Sequence, residues 1–228
     1  GWRMSFLTMA IIAACTLTYL CFVFPKLEKT EKFTFKQLPE LFRNKNLMGL
    51  FAIAALVPTA QYAAYSYIEP FMKFVAKMPD NMVTINLMIL GCAGLLGSAI
   101  FARTYEKHVK VFLTLSIAGI AVSHLLLYPA TVNEFAMITL FIFWGVCMTC
   151  FGMASQADLM AATTVSAAPV AMSIYSGIFN FGIGSGTWVG GMICDHIDIA
   201  YIGYGAGILT ILGTIFSAWL ASHLHKKH

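Results

Sequence analysis

Charge is what this sequence has least of. Lysine, arginine, aspartate and glutamate make up 11% of its 228 residues, against about 25% in an ordinary soluble domain. So few charges cannot cover a water-facing surface, and with 59% hydrophobic residues the solvent must be lipid. Strict apolar–polar alternation is also missing, which excludes a closed barrel and leaves helices as the spanning elements. No glycine-rich phosphate loop, nucleophile elbow or paired-histidine motif is present. A membrane enzyme would need His, Cys or acidic residues clustered at one depth, and none cluster so; an enzyme is not expected, nor a cofactor. Asp195-His196-Ile197-Asp198 looks like a metal cluster on paper, but it is one short loop without a second cluster, so no metal is expected. The net charge of +4 is confined to a few loops and points to no nucleic-acid partner.

What is present is long apolar runs. A bilayer core of about 30 Å needs roughly 20 apolar residues per helix. Seven runs qualify: Met4–Phe24, Leu47–Ile68, Met82–Phe101, Val111–Tyr128, Phe135–Ala154, Val170–Cys194 and Ile199–Leu220. The expected fold is an all-α integral membrane protein with seven transmembrane helices. Gly1-Trp2-Arg3 leads straight into the first run. That run is longer than a signal-peptide core of about 7–15 residues, and no small-residue cleavage site ends it. The chain therefore reads as the later part of a longer protein, whose N-terminal half would be its partner.

Lysine and arginine set the orientation. Eleven of the fourteen fall after the first span, after the third span and in the tail; only Arg3, Lys73 and Lys77 lie on the other side. The long loop and the C-terminus are expected in the cytoplasm, with Gly1 outside. Three parts follow: residues 1–24 as a single helix, 25–46 as a cytoplasmic linker, and 47–228 as a six-helix domain. The linker mixes Lys and Glu with Phe33, Phe35, Leu38 and Leu41, which suits a surface amphipathic helix or a solvated connection. The last six spans divide three and three. Triplets of odd number must have opposite orientation, the inverted-repeat plan of many secondary transporters.

The second span carries the strongest functional signal. Pro58, Gln61, Tyr65 and Glu69 recur at steps of 3, 4 and 4 and share one helical face, with Tyr62 beside it. A polar stripe on a spanning helix turns to a bundle interior or a watery path. Ser173, Ser176, Asn180, Gly184 and Thr187 form a second stripe in the sixth span, next to Phe179. Asn180 suits either a substrate hydroxyl or a neighbouring helix. Trp144 marks the fifth span. Glu69 is the one carboxylate at or inside a spanning run. Pressed against hydrocarbon it would give up its charge readily, which makes it a candidate for proton coupling or a gate; beside Pro70 it also suits a water-facing cap. His124 reads as a packed, hydrogen-bonded residue. The six cysteines read as packing, the Cys147-x-x-Cys150 pair included. Glycine at short intervals, as in Gly182-x-Gly184-x-Gly186-x-x-x-Gly190, allows close helix packing.

These strings carry a resemblance. Ala64-Tyr65-Ser66-Tyr67-Ile68-Glu69-Pro70-Phe71 resembles the seventh-helix signature of bacterial sugar efflux transporters. Ile142-Phe143-Trp144-Gly145 resembles their tenth helix. Val170-Ala171-Met172-Ser173 with Ser176-Gly177-Ile178-Phe179-Asn180 resembles their eleventh. The chain is similar to the arabinose and thiogalactoside exporter type, in the drug–proton antiporter branch of the major facilitator superfamily. It matches the sixth to the twelfth of that family's helices. The family's loop motif Gly-x-x-x-Asp-Arg is reduced here to Ala102-Arg103-Thr104-Tyr105-Glu106-Lys107-His108. The resemblance implies an inner-membrane major facilitator half-bundle that exports small sugars, or drugs, in exchange for protons. A non-transporting membrane scaffold is the alternative from another class. Substrate-path residues would be Gln61, Tyr62, Tyr65, Trp144, Phe179 and Asn180, with Glu69 for the proton or the gate.

Overall fold

A computed structural model describes residues 2–23 and 38–224. It divides into two units, Gly1–Lys32 and Phe33–His228. Helix α1 (Trp2–Val23) belongs to the first. Its described side chains are exposed on every side, with Phe6, Met9, Leu17 and Phe22 among them. A helix apolar all round suits lipid. Its threonine hydroxyls are spent inside the helix: Thr8, Thr16 and Thr18 donate to the carbonyls of Met4, Ile12 and Ala14.

The second unit holds α2 (Leu38–Arg43), α3 (Lys45–Tyr65), α4 (Ile68–Pro70), α5 (Asp80–Leu125), α6 (Glu134–Ala161), α7 (Ala168–His196) and α8 (Ile202–Leu224). No strand occurs among the described residues. The linker assigned to 25–46 lies mostly outside them; its described end is α2 and Asn44. Asn44 caps α3, its side-chain oxygen accepting from the Asn46 and Leu47 backbone N–H groups. This satisfies donors that a helix start leaves open.

Five helices are long and apolar enough to cross a membrane. They differ from the seven expected runs for two reasons. First, the third and fourth runs lie in one element, α5, of 46 residues. Its backbone leaves helical geometry at His108 (φ −132°, ψ 28°), and there it doubles back. Gly97 abuts Val146 and Thr149 of α6, and Gly119 abuts Cys147 in the same stretch. On a straight helix those glycines would stand about 33 Å apart. The rings of Phe101 and Phe112 are only 5.8 Å apart. Residues 80–107 and 109–125 are therefore two limbs lying beside the same turns of α6. Second, the sixth run, α7, is long enough at 29 residues, but its glycines, serines and Asn180 dilute its hydropathy.

Helix α3 packs on α7 and α8, and α5 packs on α6 and α8. The α3–α7 seam is built on glycine. A Cβ on Gly182 would come within 2.8 Å of the Ala55 carbonyl oxygen; Gly186 and Gly190 abut the carbonyls of Thr59 and Ala63 even more closely. Glycine every fourth residue on one helix thus rides on the backbone of the other. Two buried cores flank this seam along the bundle. One, around Leu47, Phe151 and Tyr175, lies toward the end that carries Lys45 and Lys110. The other, around Phe71, Phe141, Trp144 and Ile202, lies toward the far end.

Candidate functional site

Helical spacing places Pro58, Gln61, Tyr62 and Tyr65 on the inward side of α3. They wall a cleft of about 290 Å³ together with Leu90, Gly91, Met148, Thr149 and Phe179. That volume is at the lower end of small-molecule sites. Its walls are aromatic: Tyr62 meets Tyr65 edge-on at 5.5 Å between centroids. Phe179 lies against Phe151 and Tyr175, and the Tyr175 and Ser155 hydroxyls share a hydrogen bond of 2.7 Å behind it.

Trp144 stands behind this wall rather than in it. It is fully buried, and its Nε1–H donates to Gln61 Oε1 at 3.0 Å. Tyr65 and His124 each approach the indole edge-on, at 6.3 Å and 5.2 Å. An indole N–H only donates, so it holds the Gln61 oxygen toward itself. The Gln61 amide nitrogen is left facing Met148 Sδ at 3.3 Å, a weak acceptor. Gln61 thus keeps donor capacity in reserve at the cleft.

His124 is fully buried. Thr210 Oγ1 donates to the Ala206 carbonyl at 2.7 Å, so it accepts from His124 Nδ1–H, 2.9 Å away. His124 is a packed, hydrogen-bonded residue, as its position in an apolar run suggests. Cys147 and Cys150 are buried, and Cys150 Sγ contacts the Gly97 carbonyl oxygen at 3.4 Å across the α5–α6 seam. His196 and Asp198 have local work: His196 Nδ1 bonds the Met192 carbonyl oxygen, and Asp198 accepts from the Ala200 N–H.

Two site residues sit elsewhere than their periodicity suggests. Regular α3 ends at Tyr65, and Ser66–Tyr67 form a turn before α4. The shared face therefore stops short of Glu69. Its side chain is 57% exposed and pairs with Lys73 at 3.0 Å; Lys73 also reaches Asp80 at 3.1 Å. Asn180 is exposed and outside the cleft wall, its Nδ2 donating to the Ser176 carbonyl of its own helix at 2.7 Å. Thr187 of the second stripe reaches the end of α3 through Ser66 and Tyr67, neither of which belongs to the first stripe. Its hydroxyl bonds Ser66 at 2.8 Å, and its carbonyl accepts from the Tyr67 hydroxyl at 3.1 Å.

Met148, Thr149 and Gly152 are cleft residues that the sequence reading passed over. Met148 and Gly152 follow Trp144 at steps of four, so the period that found Gln61 and Tyr65 also finds them on α6.

A family model described as Major Facilitator Superfamily matches residues 1–169.

Proposed function

The chain belongs to the Major Facilitator Superfamily, and from that premise we propose that this membrane transporter carries small sugars out of the cell in exchange for protons. In this reading it lies in the inner membrane with its C-terminus in the cytoplasm. The observation that carries the substrate class is Gln61. An amide whose oxygen is taken by Trp144 and whose nitrogen has only a thioether partner suits the acceptor oxygens of a sugar. Tyr62, Tyr65 and Phe179 supply flat apolar faces for its ring. Asn180, on the open face of α7, would meet the substrate from the side of an opposing helix bundle. The doubled-back α5 and the long α7 support six spanning segments after residue 44, in a 3+3 inverted-repeat plan. Glu69, ion-paired with Lys73, would act as a proton-sensitive gate at the far end.

The test is efflux from proteoliposomes that hold the chain together with its N-terminal half, loaded with radiolabelled arabinose, isopropyl thiogalactoside or a cationic dye, under an imposed pH gradient. Gradient-driven loss of the sugars, abolished by a protonophore, is expected. Expulsion of the dye with retention of both sugars would move the assignment to drug export. Retention of all three would favour a non-transporting scaffold.

A further inference from the structure

The cleft around Gln61 has walls of two kinds. Helix α3 brings it Tyr62 and Tyr65, while α5 and α6 bring it Gly91, Thr149 and Gly152. Glycine weakens a helix interior relative to alanine, so each glycine there needs a reason. Gly145, also on the cleft wall, has one in packing: a Cβ on it would run into the Leu90 carbonyl oxygen. At Gly91 and Gly152 a Cβ would meet nothing within 4 Å. Gly177 and Gly184 are equally open, but neither lines the cleft. Gly91 and Gly152 therefore border one space from two helices as bare backbone, and no neighbour in the chain requires them to be bare.

Thr149 is one turn from Gly152 on α6, and its Oγ1 lies over Gly94, one turn from Gly91 on α5. Every other described threonine spends its hydroxyl on a hydrogen bond, most of them on the carbonyl four residues back. Thr149 alone spends it on none. The unpaired Asn86 Oδ1 and His124 Nε2 are sealed inside the protein, whereas the Thr149 oxygen stays accessible. A hydroxyl both donates and accepts. The α6 wall thus adds an acceptor to the donor that Gln61, itself 4% exposed, rests on the Met148 thioether.

We propose that Thr149 and the two open glycines set which sugars the cleft takes: Thr149 bonds a ring hydroxyl, and an arm carried outside the ring lies on the bare backbone of Gly91 and Gly152. This rests on the reading of the cleft as a sugar site. The tyrosines offer flat faces to the apolar side of a pyranose, and a wall without side chains accommodates what projects from it. The favoured class is a pyranose with an exocyclic arm. Isopropyl thiogalactoside carries a hydroxymethyl and a thioalkyl arm on a ring whose remaining hydroxyls are arranged as in L-arabinose, which has neither arm.

Transport of both sugars by proteoliposomes that hold the chain together with its N-terminal half tests this, read beside thermal melts in detergent. Gly91→Ala and Gly152→Ala should melt no lower than wild type, since alanine favours the helix. They should raise the KM for the thiogalactoside roughly tenfold and that for arabinose less than about twofold. Thr149→Val keeps the shape and removes the hydroxyl; it should raise both KM values roughly tenfold without lowering the melting temperature, and Thr149→Ser should restore them. A lower melting temperature in either glycine variant would make that glycine a packing residue and overturn the proposal. So would equal KM shifts for the two sugars in the glycine variants, an unchanged KM for the thiogalactoside there, or wild-type KM values in Thr149→Val. Each of these leaves sugar transport by the wild type standing, whereas a wild type that carries neither sugar overturns the sugar reading itself.

Discussion

The Trp144 indole donates to Gln61 Oε1 at 3.0 Å in a place where neither side chain reaches solvent, the two being 0% and 4% exposed. The bond ties α6 to α3 directly behind the cleft. Trp144→Phe keeps the ring and removes the donor, leaving a buried amide oxygen unpaired. A loss of about 1–3 kcal/mol in stability is expected, read as a lower melting temperature in detergent. Gln61→Leu in the same background should add little further, because the pair is already broken. Additive losses would show that the two residues act independently.

Sugar recognition should depend on the Gln61 amide nitrogen. Gln61→Glu keeps the acceptor for Trp144 and removes the spare donor. The expected result is weaker binding of arabinose and thiogalactoside, measured as a raised KM for transport, with the thermal melt changed less than in Trp144→Phe. An unaltered KM would place the sugar elsewhere.

The glycine seam gives a contrast within one helix. Gly186 abuts the Thr59 carbonyl, whereas a Cβ on Gly184 meets nothing within 4 Å. Gly186→Ala should destabilise by about 1–3 kcal/mol as α7 is pushed off α3. Gly184→Ala should be neutral or slightly stabilising, since alanine favours the helix. Thermal unfolding of both variants in one detergent reads the difference.

Glu69 pairs with Lys73, and Lys73 also holds Asp80. Loss of the carboxylate's charge would loosen its hold on Lys73. If this is the gate, Glu69→Gln fixes the loosened state at all pH values. Efflux should then lose much of its pH dependence while sugar binding survives. A variant with the wild-type pH profile would make Glu69 a solvated cap.

Cys147 and Cys150 are three residues apart on α6 and packed toward α5. A water-soluble maleimide should leave both unlabelled in intact membranes and label them after denaturation. Labelling without denaturation would reveal a water path along that seam.

The sequence made Pro58, Gln61, Tyr62 and Tyr65 legible as one wall because helical period is a local property and α3 is regular through Tyr65. It did not show where the period stops: Pro70, which has no N–H to offer the Ser66 carbonyl, marks the break, but it reads equally well as ending the helix after Glu69 or before it. Asn180 illustrates the opposite case. Gly182, Gly186 and Gly190 are the face of α7 that meets α3, and Asn180 lies about 200° around the helix from Gly182. Counted from the glycines, its exposure was readable; counted from its polar neighbours, it was not. The reversal of α5 was legible in charge: Arg103, Glu106, Lys107 and Lys110 separate two apolar runs, each long enough to span. What the sequence did not show is that helical geometry persists through the reversal apart from His108, since residues 101–111 contain neither glycine nor proline.

The glycine seam is fastened unevenly. Along Gly182 and Gly186 the glycines offer no side chain of their own to lock the register, while at Thr187 the seam is pinned by Ser66 and Tyr67, whose ring also lies against Gly190. From Thr187 to the start of α7 at Ala168 is a lever of about 29 Å. A tilt of α7 on α3 that leaves those hydrogen bonds intact turns about Thr187, with its smallest travel there and its largest at the opposite end. Phe179 lies partway along that arm, so a small tilt would swing its ring relative to Gln61 and change the width of the cleft without breaking the pin.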